Sequence, residues 1–398
     1  MKIIADENIP YVREAFSELG DVTTLSGRLI ARDTLDDAEM LLVRSITRVG
    51  RELLEGSRVK FVATATIGED HIDKPWLAAH GVEFASAPGS NAGSVTQYVA
   101  SALLMLEERL PLDLRGMRLG VVGVGNVGSR VVRAARALGM EVVMNDPPLE
   151  RMRNVERGMR NEGNKGHKGQ EEPGLVFEPL DRILECDIVT MHVPLTREGV
   201  DRTYHFVDDV FLSRLKPGAI LINTSRGPVV DGVALKDALD SGRLRACVLD
   251  VWEGEPNIDV SLLKRVFIGT PHIAGYSFDG KVNGTRMIYE AACRFLGREP
   301  DWDPAPLLPR LEHPRVEADG SAEGALNSTV RAVYDIMKDD AAMRGLIECE
   351  PGEQARFFDR LRKEYPRRRE FFNTTVKVRP RNPELEARLA GLGFNVEV

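Results

Sequence analysis

Residues 119–146, LGVVGVGNVGSRVVRAARALGMEVVMND, decide the fold of this chain. The apolar run 118–122 predicts a buried strand, the glycine-rich run 123–128 predicts a turn, and 129–138 predicts a helix with its apolar residues on one face. A second strand is predicted at 141–144. Strand, helix and strand in this order form the repeating unit of a parallel α/β sheet.

The glycines of this turn have the spacing that a dinucleotide requires. Gly123 allows a tight turn, Gly125 allows the backbone to approach a pyrophosphate, and Gly128 allows the helix to pack closely on the strand. The amides and the dipole at the start of the helix favour phosphate charge. We therefore predict a cofactor site that also includes the two intervening residues of the turn, Asn126 and Val127.

An acidic residue follows the second strand and selects between two dinucleotides. Asp146 lies roughly twenty residues after the first glycine, where the fingerprint expects a carboxylate that binds the ribose hydroxyls. Such a carboxylate would repel a 2′-phosphate, so NAD is the predicted cofactor. Arg151 and Arg153 follow closely and leave NADP as an open alternative.

Three later segments, NTSRG, GEP and PHIAG, supply a candidate reaction centre. A guanidinium binds a planar carboxylate through paired hydrogen bonds, so Arg226 is a candidate substrate anchor. His272 is a candidate base, and Glu255 is its candidate partner, because an adjacent carboxylate fixes the imidazole tautomer. Each residue alone could be a surface charge or a satisfied core histidine; together, after a nucleotide motif, they predict oxidation of a 2-hydroxy acid.

The ordered set GVGNVG, Asp146, NTSRG, GEP and PHIAG resembles the D-isomer-specific 2-hydroxyacid dehydrogenases. The likeness runs nearly end to end and is closest to one member of the family that acts on a phosphorylated substrate. It includes stretches not expected of generic members, such as DENIPYVREAFSELG (6–20), FVATATIGEDHID (61–73) and FFDRLRKEYPRRREF (357–371).

The resemblance implies further site residues and a set of partners. It places Thr224, Ser225, Arg226, Asp250 and Gly275 near NAD, with Asp250 facing the nicotinamide carboxamide. It implies a phosphorylated 2-hydroxy acid bound by Arg44, Ser45, Thr66 and Tyr276, although Ser45 and Thr66 could instead cap turns and Tyr276 could simply pack. It also implies a homodimer and no metal.

The implied fold class is α/β, with two Rossmann-like lobes that contain parallel sheets. A discontinuous substrate lobe is predicted at 1–93 and 275–303, an inserted NAD-binding lobe at 94–274, and a small α+β dimerisation domain at 304–398. Hinges are expected near Gly93 and Gly275. The apolar runs predict first-lobe strands at 2–5, 40–43, 61–64 and 82–86, and later strands at 188–192, 219–223 and 246–251.

Several further elements are predicted by their local patterns. A helix is predicted at 12–19, and a long helix at 94–110 is predicted to start with a capping box of Ser94 and Gln97. A helix is also expected within 275–297. The tail pattern predicts helices at 328–337, 354–365 and 383–392, and strands at 374–378 and 395–398. The polar, glycine-rich run 156–174 predicts a mobile surface insertion, in which His167 is solvated rather than bound to phosphate.

Composition is consistent with this class and disfavours others. The chain has 398 residues, of which 43% are hydrophobic and 29% charged, enough for more than one core. Its net charge of −8 argues against a nucleic-acid binder, and the basic run at 367–369 is interspersed with acids. With no signal-like or membrane-like run and four scattered cysteines, a cytoplasmic protein is expected.

Two alternatives remain open from the residues alone. A phosphoglycerate or a hydroxypyruvate/glyoxylate dehydrogenase would keep the same three site residues and lack this particular tail. A catalytically idle NAD-sensing regulator would bind the cofactor and a partner peptide without consuming a 2-hydroxy acid.

Overall fold

The computed structural model describes residues 1–163 and 176–397, without the side chains of 156–163. The chain divides into two compact units, each made of several segments. Unit 1 consists of Met1–Ser94, Gly275–Glu312 and Arg367–Glu370. Unit 2 consists of Val95–Ala274, His313–Pro366 and Phe371–Val398. The three-domain division predicted from the sequence stays a prediction.

Unit 1 is built on a five-stranded parallel sheet with the strand order β2-β1-β3-β4-β5. Parallel neighbours need crossover connections, which short helices provide here. The elements are β1 (Lys2–Asp6), α1 (Val12–Phe16), β2 (Asp21–Leu25), a 3₁₀ turn (Arg32–Leu35), β3 (Met40–Val43), α2 (Arg51–Leu54), β4 (Phe61–Thr64), α3 (Lys74–Ala79) and β5 (Glu83–Ala85). Strands β3 and β4 are buried along their whole length, which explains their mostly apolar sequences.

Unit 2 contains a six-stranded parallel sheet in the order β11-β10-β9-β8-β6-β7. Its elements are α4 (Ala92–Arg109), β6 (Arg118–Val122), α5 (Gly128–Ala137), β7 (Glu141–Asn145), α6 (Pro147–Gly163), α7 (Leu180–Leu184), β8 (Ile188–Met191), α8 (Asp209–Arg214), β9 (Ala219–Asn223), a 3₁₀ turn (Gly227–Val229), α9 (Gly232–Asp240), β10 (Leu244–Leu249), α10 (Val260–Leu263) and β11 (Ile268–Gly269). Counted from β6 as the first strand, the order is 2-1-3-4-5-6, that of a doubly wound parallel sheet, with the glycine-rich turn between β6 and α5.

The chain after residue 277 forms one long helix and a small parallel sheet in the order β12-β13-β14. The elements are α11 (Phe278–Phe295), a 3₁₀ turn (Ala305–Leu307), β12 (Arg315–Asp319), α12 (Ala325–Val333), α13 (Ile336–Arg344), a 3₁₀ turn (Gly345–Glu348), α14 (Gln354–Lys363), a 3₁₀ turn (Phe371–Asn373), β13 (Thr375–Arg379), α15 (Pro383–Gly391) and β14 (Asn395–Glu397). Helix α11 belongs to unit 1, where Ile288 and Ala292 pack in the same core cluster as Ile3 and Phe61.

The tail helices share a core with the Rossmann-type sheet of unit 2. Met343, Leu346 and Phe358 are fully buried in the same cluster as Trp252 and Leu263. Burial of these side chains removes apolar surface from water, at roughly 25 cal/mol for each Å². The tail is therefore a built-in part of the packing of unit 2.

The glycine-rich turn shows why one of its residues must lack a side chain. A Cβ atom on Gly128 would lie 1.9 Å from the carbonyl oxygen of Gly123, far inside van der Waals contact. Gly123 itself has a φ of +86°, in the left-handed region. The predicted close packing of helix on strand is thus present.

Most predicted strands and helices are confirmed, but several boundaries are wrong. The capping box is absent, since α4 begins at Ala92 and Ser94 lies inside the helix. The run at 156–163 continues α6 instead of forming a loop; residues 164–174, with His167, lie outside the described part.

The predicted helix 328–337 is two helices, α12 and α13. The backbone becomes extended at Tyr334, which ends α12, and the Asp335 side chain caps the start of α13. Strands β2, β11 and β12 were not predicted from the sequence. All three are edge strands; exposed or half-buried residues interrupt the apolar pattern of β2 and β12, and β11 has only two residues.

Candidate active site

Three strand ends in unit 2 bring the predicted reaction centre to one edge of the sheet. Arg226 follows β9, Glu255 follows β10, and His272 follows β11. These strands are adjacent and parallel, so the residues that follow them emerge at the same edge. Ligands of open α/β sheets bind at this carboxyl edge.

His272 and Glu255 form the predicted pair. Nδ1 of His272 lies 2.7 Å from Oε2 of Glu255, with side chains 32% and 19% exposed. The other oxygen of Glu255 accepts a hydrogen bond from the Trp252 amide at 2.7 Å. Burial opposes ionisation of this carboxyl, but the His272 charge, its hydrogen bond and the Trp252 amide together hold the pKa of Glu255 below its ordinary value. Nδ1 is the imidazole nitrogen that this carboxylate occupies.

The backbone at His272 adopts a conformation that a histidine rarely takes. Its φ is +57°, in the left-handed region, which costs on the order of 1 kcal/mol for a side chain of this kind. The His272 amide donates to the carbonyl oxygens of Asp250 (2.7 Å) and Thr270 (3.0 Å). These contacts hold the turn that presents the imidazole.

Asp250 is the buried centre of the same turn. Its Oδ1 accepts hydrogen bonds from the Thr270 hydroxyl and the Ile273 amide, both at 2.7 Å, and its Oδ2 accepts one from the Ala274 amide at 2.9 Å. Burial raises the pKa of Asp250, although the His272 charge and these hydrogen bonds offset part of the effect. Asp250 therefore shapes the His272 turn; its contact with the nicotinamide stays a prediction.

Arg226 is positioned by its own loop. The Asn223 side chain accepts from the Ser225 amide and hydroxyl and donates to the Arg226 carbonyl oxygen at 3.0 Å. Nη1 of Arg226 donates to the Ser225 carbonyl oxygen at 2.8 Å. The polar residues Thr224 and Ser225 thus lie in a loop whose backbone is fixed by Asn223, a residue the sequence reasoning did not single out.

The glycine-rich turn fits a dinucleotide. A Cβ atom on Gly125 would meet no protein atom within 4 Å, and Gly125 and Asn126 are exposed, so the turn offers open space above its backbone. Asp146 follows β7 and accepts hydrogen bonds from the Val124 amide (2.7 Å) and the Leu149 amide (2.9 Å). Open backbone beside a fixed carboxylate is what a pyrophosphate and a ribose require.

His192 is a site feature that sequence reasoning did not name. It follows β8, where its Nε2 lies 3.0 Å from the Thr190 hydroxyl and its Nδ1 lies 3.3 Å from the Thr224 hydroxyl. Burial lowers the pKa of His192, so the ring is neutral near pH 7. Its place as the last residue of the predicted strand 188–192 was the available signal.

The candidate substrate residues lie in unit 1. Arg44 follows β3, and its Nη1 is 3.4 Å from the Asn8 carbonyl oxygen; Ser45 beside it is exposed. Thr66 follows β4, and its hydroxyl donates to the Gly68 carbonyl oxygen at 3.1 Å, so it does stabilise its own turn. The Lys281 ammonium lies 4.4 Å from the centre of the Tyr276 ring.

Gly275 is the first residue of the returning segment of unit 1. A Cβ atom there would lie 2.1 Å from the Asn91 side chain, which explains the need for glycine. Within the described residues, no group of three or more His, Cys, Asp or Glu could hold a metal, and no helix is long and apolar enough to cross a membrane.

The fold and the site define the class: a Rossmann-type protein with an imidazole–carboxylate pair at the edge of the sheet where a dinucleotide binds. Residues 95–274 match the family model of the D-isomer specific 2-hydroxyacid dehydrogenase NAD-binding domain, and residues 307–393 match a domain of unknown function, DUF3410.

A curated relative is similar along its whole length. The chain is 46% identical over 397 residues to the erythronate-4-phosphate dehydrogenase of Cronobacter sakazakii. The aligned region covers 99% of this chain and 98% of the relative.

Two solved structures are also similar. A Thermus thermophilus protein has a TM-score of 0.60 and 26% identity, and covers 75% of this chain and 98% of that one. The D-lactate dehydrogenase of Aquifex aeolicus, complexed with NAD and lactic acid, has a TM-score of 0.58 and 25% identity, and covers 75% and 96%.

The chain therefore belongs to the D-isomer-specific 2-hydroxyacid dehydrogenase family. It is an NAD-dependent oxidoreductase that acts on a CH–OH group. NAD supplies the acceptor for the hydride, and the residues of the glycine-rich turn would hold it.

Proposed function

We propose that this enzyme oxidises 4-phospho-D-erythronate at C2 to 2-oxo-3-hydroxy-4-phosphobutanoate, a step of pyridoxal 5′-phosphate biosynthesis. The observation that carries the chemistry is the 2.7 Å contact between His272 and Glu255, at the sheet edge where Arg226 also emerges. The curated relative that covers nearly the whole chain supports the choice of substrate.

Each residue of the centre has a proposed role. Arg226 binds the substrate carboxylate and the C2 oxygen, because its guanidinium can donate two parallel hydrogen bonds. His272 accepts the proton of the C2 hydroxyl on Nε2 while the C2 hydride leaves for NAD. Glu255 accepts a hydrogen bond from Nδ1 and stabilises the imidazolium that forms. In the reverse direction, protonated His272 is the acid.

The 4-phosphate is proposed to bind residues of unit 1. Arg44 supplies positive charge, the hydroxyls of Ser45 and Tyr276 supply donors, and Thr66 would donate in place of its hydrogen bond to the Gly68 carbonyl oxygen. Strands β1, β3 and β4 are parallel neighbours, so Asn8, Arg44 and Thr66 emerge at the same edge of that sheet. A dianionic group at such an edge would gain charge-assisted hydrogen bonds.

A substrate panel tests the proposal directly. Purified protein with NAD should reduce the cofactor, followed at its absorbance band, faster with 4-phosphoerythronate than with 3-phosphoglycerate or glycerate. A clear preference for either of the latter would replace the proposed substrate by that of a related dehydrogenase. NAD binding without turnover of any 2-hydroxy acid would favour a regulator instead.

Two variants locate the chemistry. His272→Ala should lower kcat by about 10²- to 10⁴-fold, the usual contribution of a general base, and should leave NAD binding unchanged. His313→Ala is the matched control, because His313 is exposed and only its backbone makes a described hydrogen bond. Equal activity of both variants would refute the role of His272.

The remaining expectations are proposals about the setting of the enzyme. We propose a cytoplasmic homodimer that binds no nucleic acid, with 304–398 as the dimerisation domain. Four cysteines without disulfides support a reducing compartment, and burial raises the pKa of Cys186 to about 11, so this thiol is unreactive. Sedimentation of the full chain at micromolar concentration tests the dimer.

A further inference from the structure

Helix α13, in the segment that matches the domain of unknown function, contacts the strand that leads to His272. Asp340 is 7% exposed, and its Oδ1 accepts a hydrogen bond from the Gly269 amide at 2.8 Å. Gly269 lies in β11, the outermost strand of its sheet, and its amide points away from β10. Asp340 thus satisfies an edge donor that no strand can reach.

Arg344 fixes Asp340 from the next turn of the helix. Its Nε lies 3.2 and 3.3 Å from the two carboxylate oxygens of Asp340. Its Nη1 donates to the Leu263 carbonyl oxygen at 2.5 Å, and its Nη2 donates to the Val266 carbonyl oxygen at 2.8 Å. The pair therefore spans the end of α10, the loop after it and β11.

Strand β11, which Asp340 contacts, continues directly into the turn that contains His272. Thr270 follows Gly269; its hydroxyl donates to Asp250, and its carbonyl oxygen accepts from the His272 amide and from Trp252 Nε1. The buried Tyr98 hydroxyl lies 2.7 Å from the same Thr270 hydroxyl. Two residues after Thr270, the backbone must enter the left-handed region. Such a conformation persists only where its surroundings fix it.

We infer that Asp340, held by Arg344, is a positioning residue that sets the place of His272 in the reaction. The inference rests on the proposed role of His272. It assigns a function to a residue of the segment that matches a domain of unknown function. Asp340 touches no reacting atom; it fixes the entry to the His272 turn, as Asp250 fixes the exit through the Ile273 and Ala274 amides.

Attachment of the tail alone does not require this pair. Met343, Leu346 and Phe358 already bury the tail helices in the core of unit 2. On another face, Arg331 contacts Glu108 of α4 at 2.9 Å, an exposed ion pair that also joins the tail to the unit. Burying the Asp340 charge costs solvation free energy, and Arg344 remains partly exposed, so the pair adds little net stability and is better explained by the geometry it imposes.

The test compares Asp340→Ala and Asp340→Asn with Arg331→Ala as the matched control, all in the full chain. Asp340→Ala removes the acceptor of the Gly269 amide, and we expect kcat to fall about 10- to 100-fold, as for a displaced reacting group, with little change in KM for NAD. Asp340→Asn keeps an acceptor oxygen and should retain more of kcat. Arg331→Ala should leave kcat unchanged.

Two readouts separate positioning from simple destabilisation. With a C2-deuterated substrate, the isotope effect on kcat should rise in Asp340→Ala, because hydride transfer becomes slower relative to product release. Without any substrate, amide hydrogen exchange in 268–276 should accelerate in that variant and not in Arg331→Ala.

Each outcome decides the inference. Unchanged kcat, isotope effect and exchange in Asp340→Ala would overturn it, as would a loss of activity proportional only to the unfolded fraction. If the alanine variant does not fold, Asp340→Asn is judged by the same readouts. A different preferred substrate would refute the proposed function but not this inference, since kcat is then measured with that substrate and exchange needs none.

Discussion

At the residue scale, the chemistry depends on one carboxylate with two fixed hydrogen bonds. Glu255 accepts from His272 on one oxygen and from the Trp252 amide on the other. Its lowered pKa keeps it ionised through the range in which an imidazole titrates. Glu255 therefore remains a negative charge beside the His272 imidazole.

Replacement of Glu255 by Gln should test the role of this carboxylate. The neutral amide no longer stabilises the imidazolium that forms during oxidation, so kcat for oxidation should fall while NAD binding stays unchanged. Glu253→Gln, at a neighbouring carboxylate bound to His205, is the control; an unchanged kcat in Glu255→Gln would contradict the assignment.

The reaction centre could be predicted from the sequence because it uses distinctive residue types. Arg226, Glu255 and His272 each follow an apolar run, and the structure places all three at strand ends. Asn223 and His192 were not singled out, since their roles come from contacts with neighbouring loops. Asp340 could not be found, because 71 residues separate it from Gly269.

At the element scale, two glycines of the same turn have different tasks. Gly125→Ala should fold normally and weaken NAD binding at least 10-fold, because its methyl group meets no protein atom and would occupy the space of the pyrophosphate. Gly128→Ala should instead lower the melting temperature, because its methyl group would overlap the Gly123 carbonyl oxygen. Calorimetric NAD binding and thermal unfolding distinguish them; equal behaviour of the two variants would contradict this assignment.

The start of α10 offers a pH-dependent contribution to stability. Asp259 accepts from the Ser261 and Leu262 amides and pairs with Lys236 at 2.6 Å, which lowers the pKa of Asp259 to about 2 despite partial burial. A lowered pKa stabilises the folded state above about pH 4, and this stabilisation is lost as pH falls toward 2.

Asp259→Asn keeps the cap and removes the charge. It should cost about 1 kcal/mol or less near pH 6, since the pair is partly exposed, and the difference from wild type should shrink toward pH 3. Urea unfolding at several pH values measures it. Lys236→Gln should give a similar loss that is not additive with the first; a constant difference across pH would contradict the charge argument.

Element boundaries were predicted less well than element types. The fully buried strands β3, β4, β8 and β9 were located correctly, because burial of both faces makes their sequences mostly apolar. The edge strands β2 and β12 lacked that signal. The local pattern at Ser94 suggested a cap, yet its hydroxyl accepts from the Ser277 amide, 183 residues away.

At the scale of the whole molecule, the tail completes the core of unit 2. Trp252, Leu262, Leu263 and Val266 belong to the same core cluster as the tail residues Met343, Leu346 and Phe358, so a chain that ends after Glu312 would leave that cluster incomplete. We expect such a chain to aggregate or to lose cooperative unfolding. Size-exclusion chromatography and circular dichroism would check this, with the full chain as reference; a monodisperse, cooperatively folded product would contradict it.

The last structural consequence concerns four residues, 367–370, that return from the tail to unit 1. There Arg369 forms a two-oxygen ion pair with Asp279 at 3.0 Å, and Glu370 accepts from the Ser277 hydroxyl at 2.7 Å. A chimera that exchanges this unit with the one from a relative must carry three pieces of sequence, including that tetrapeptide. Natural recombination has the same constraint. An exchange of only Met1–Ser94 and Gly275–Glu312 would leave Arg369 and Glu370 of one parent beside Asp279 and Ser277 of the other.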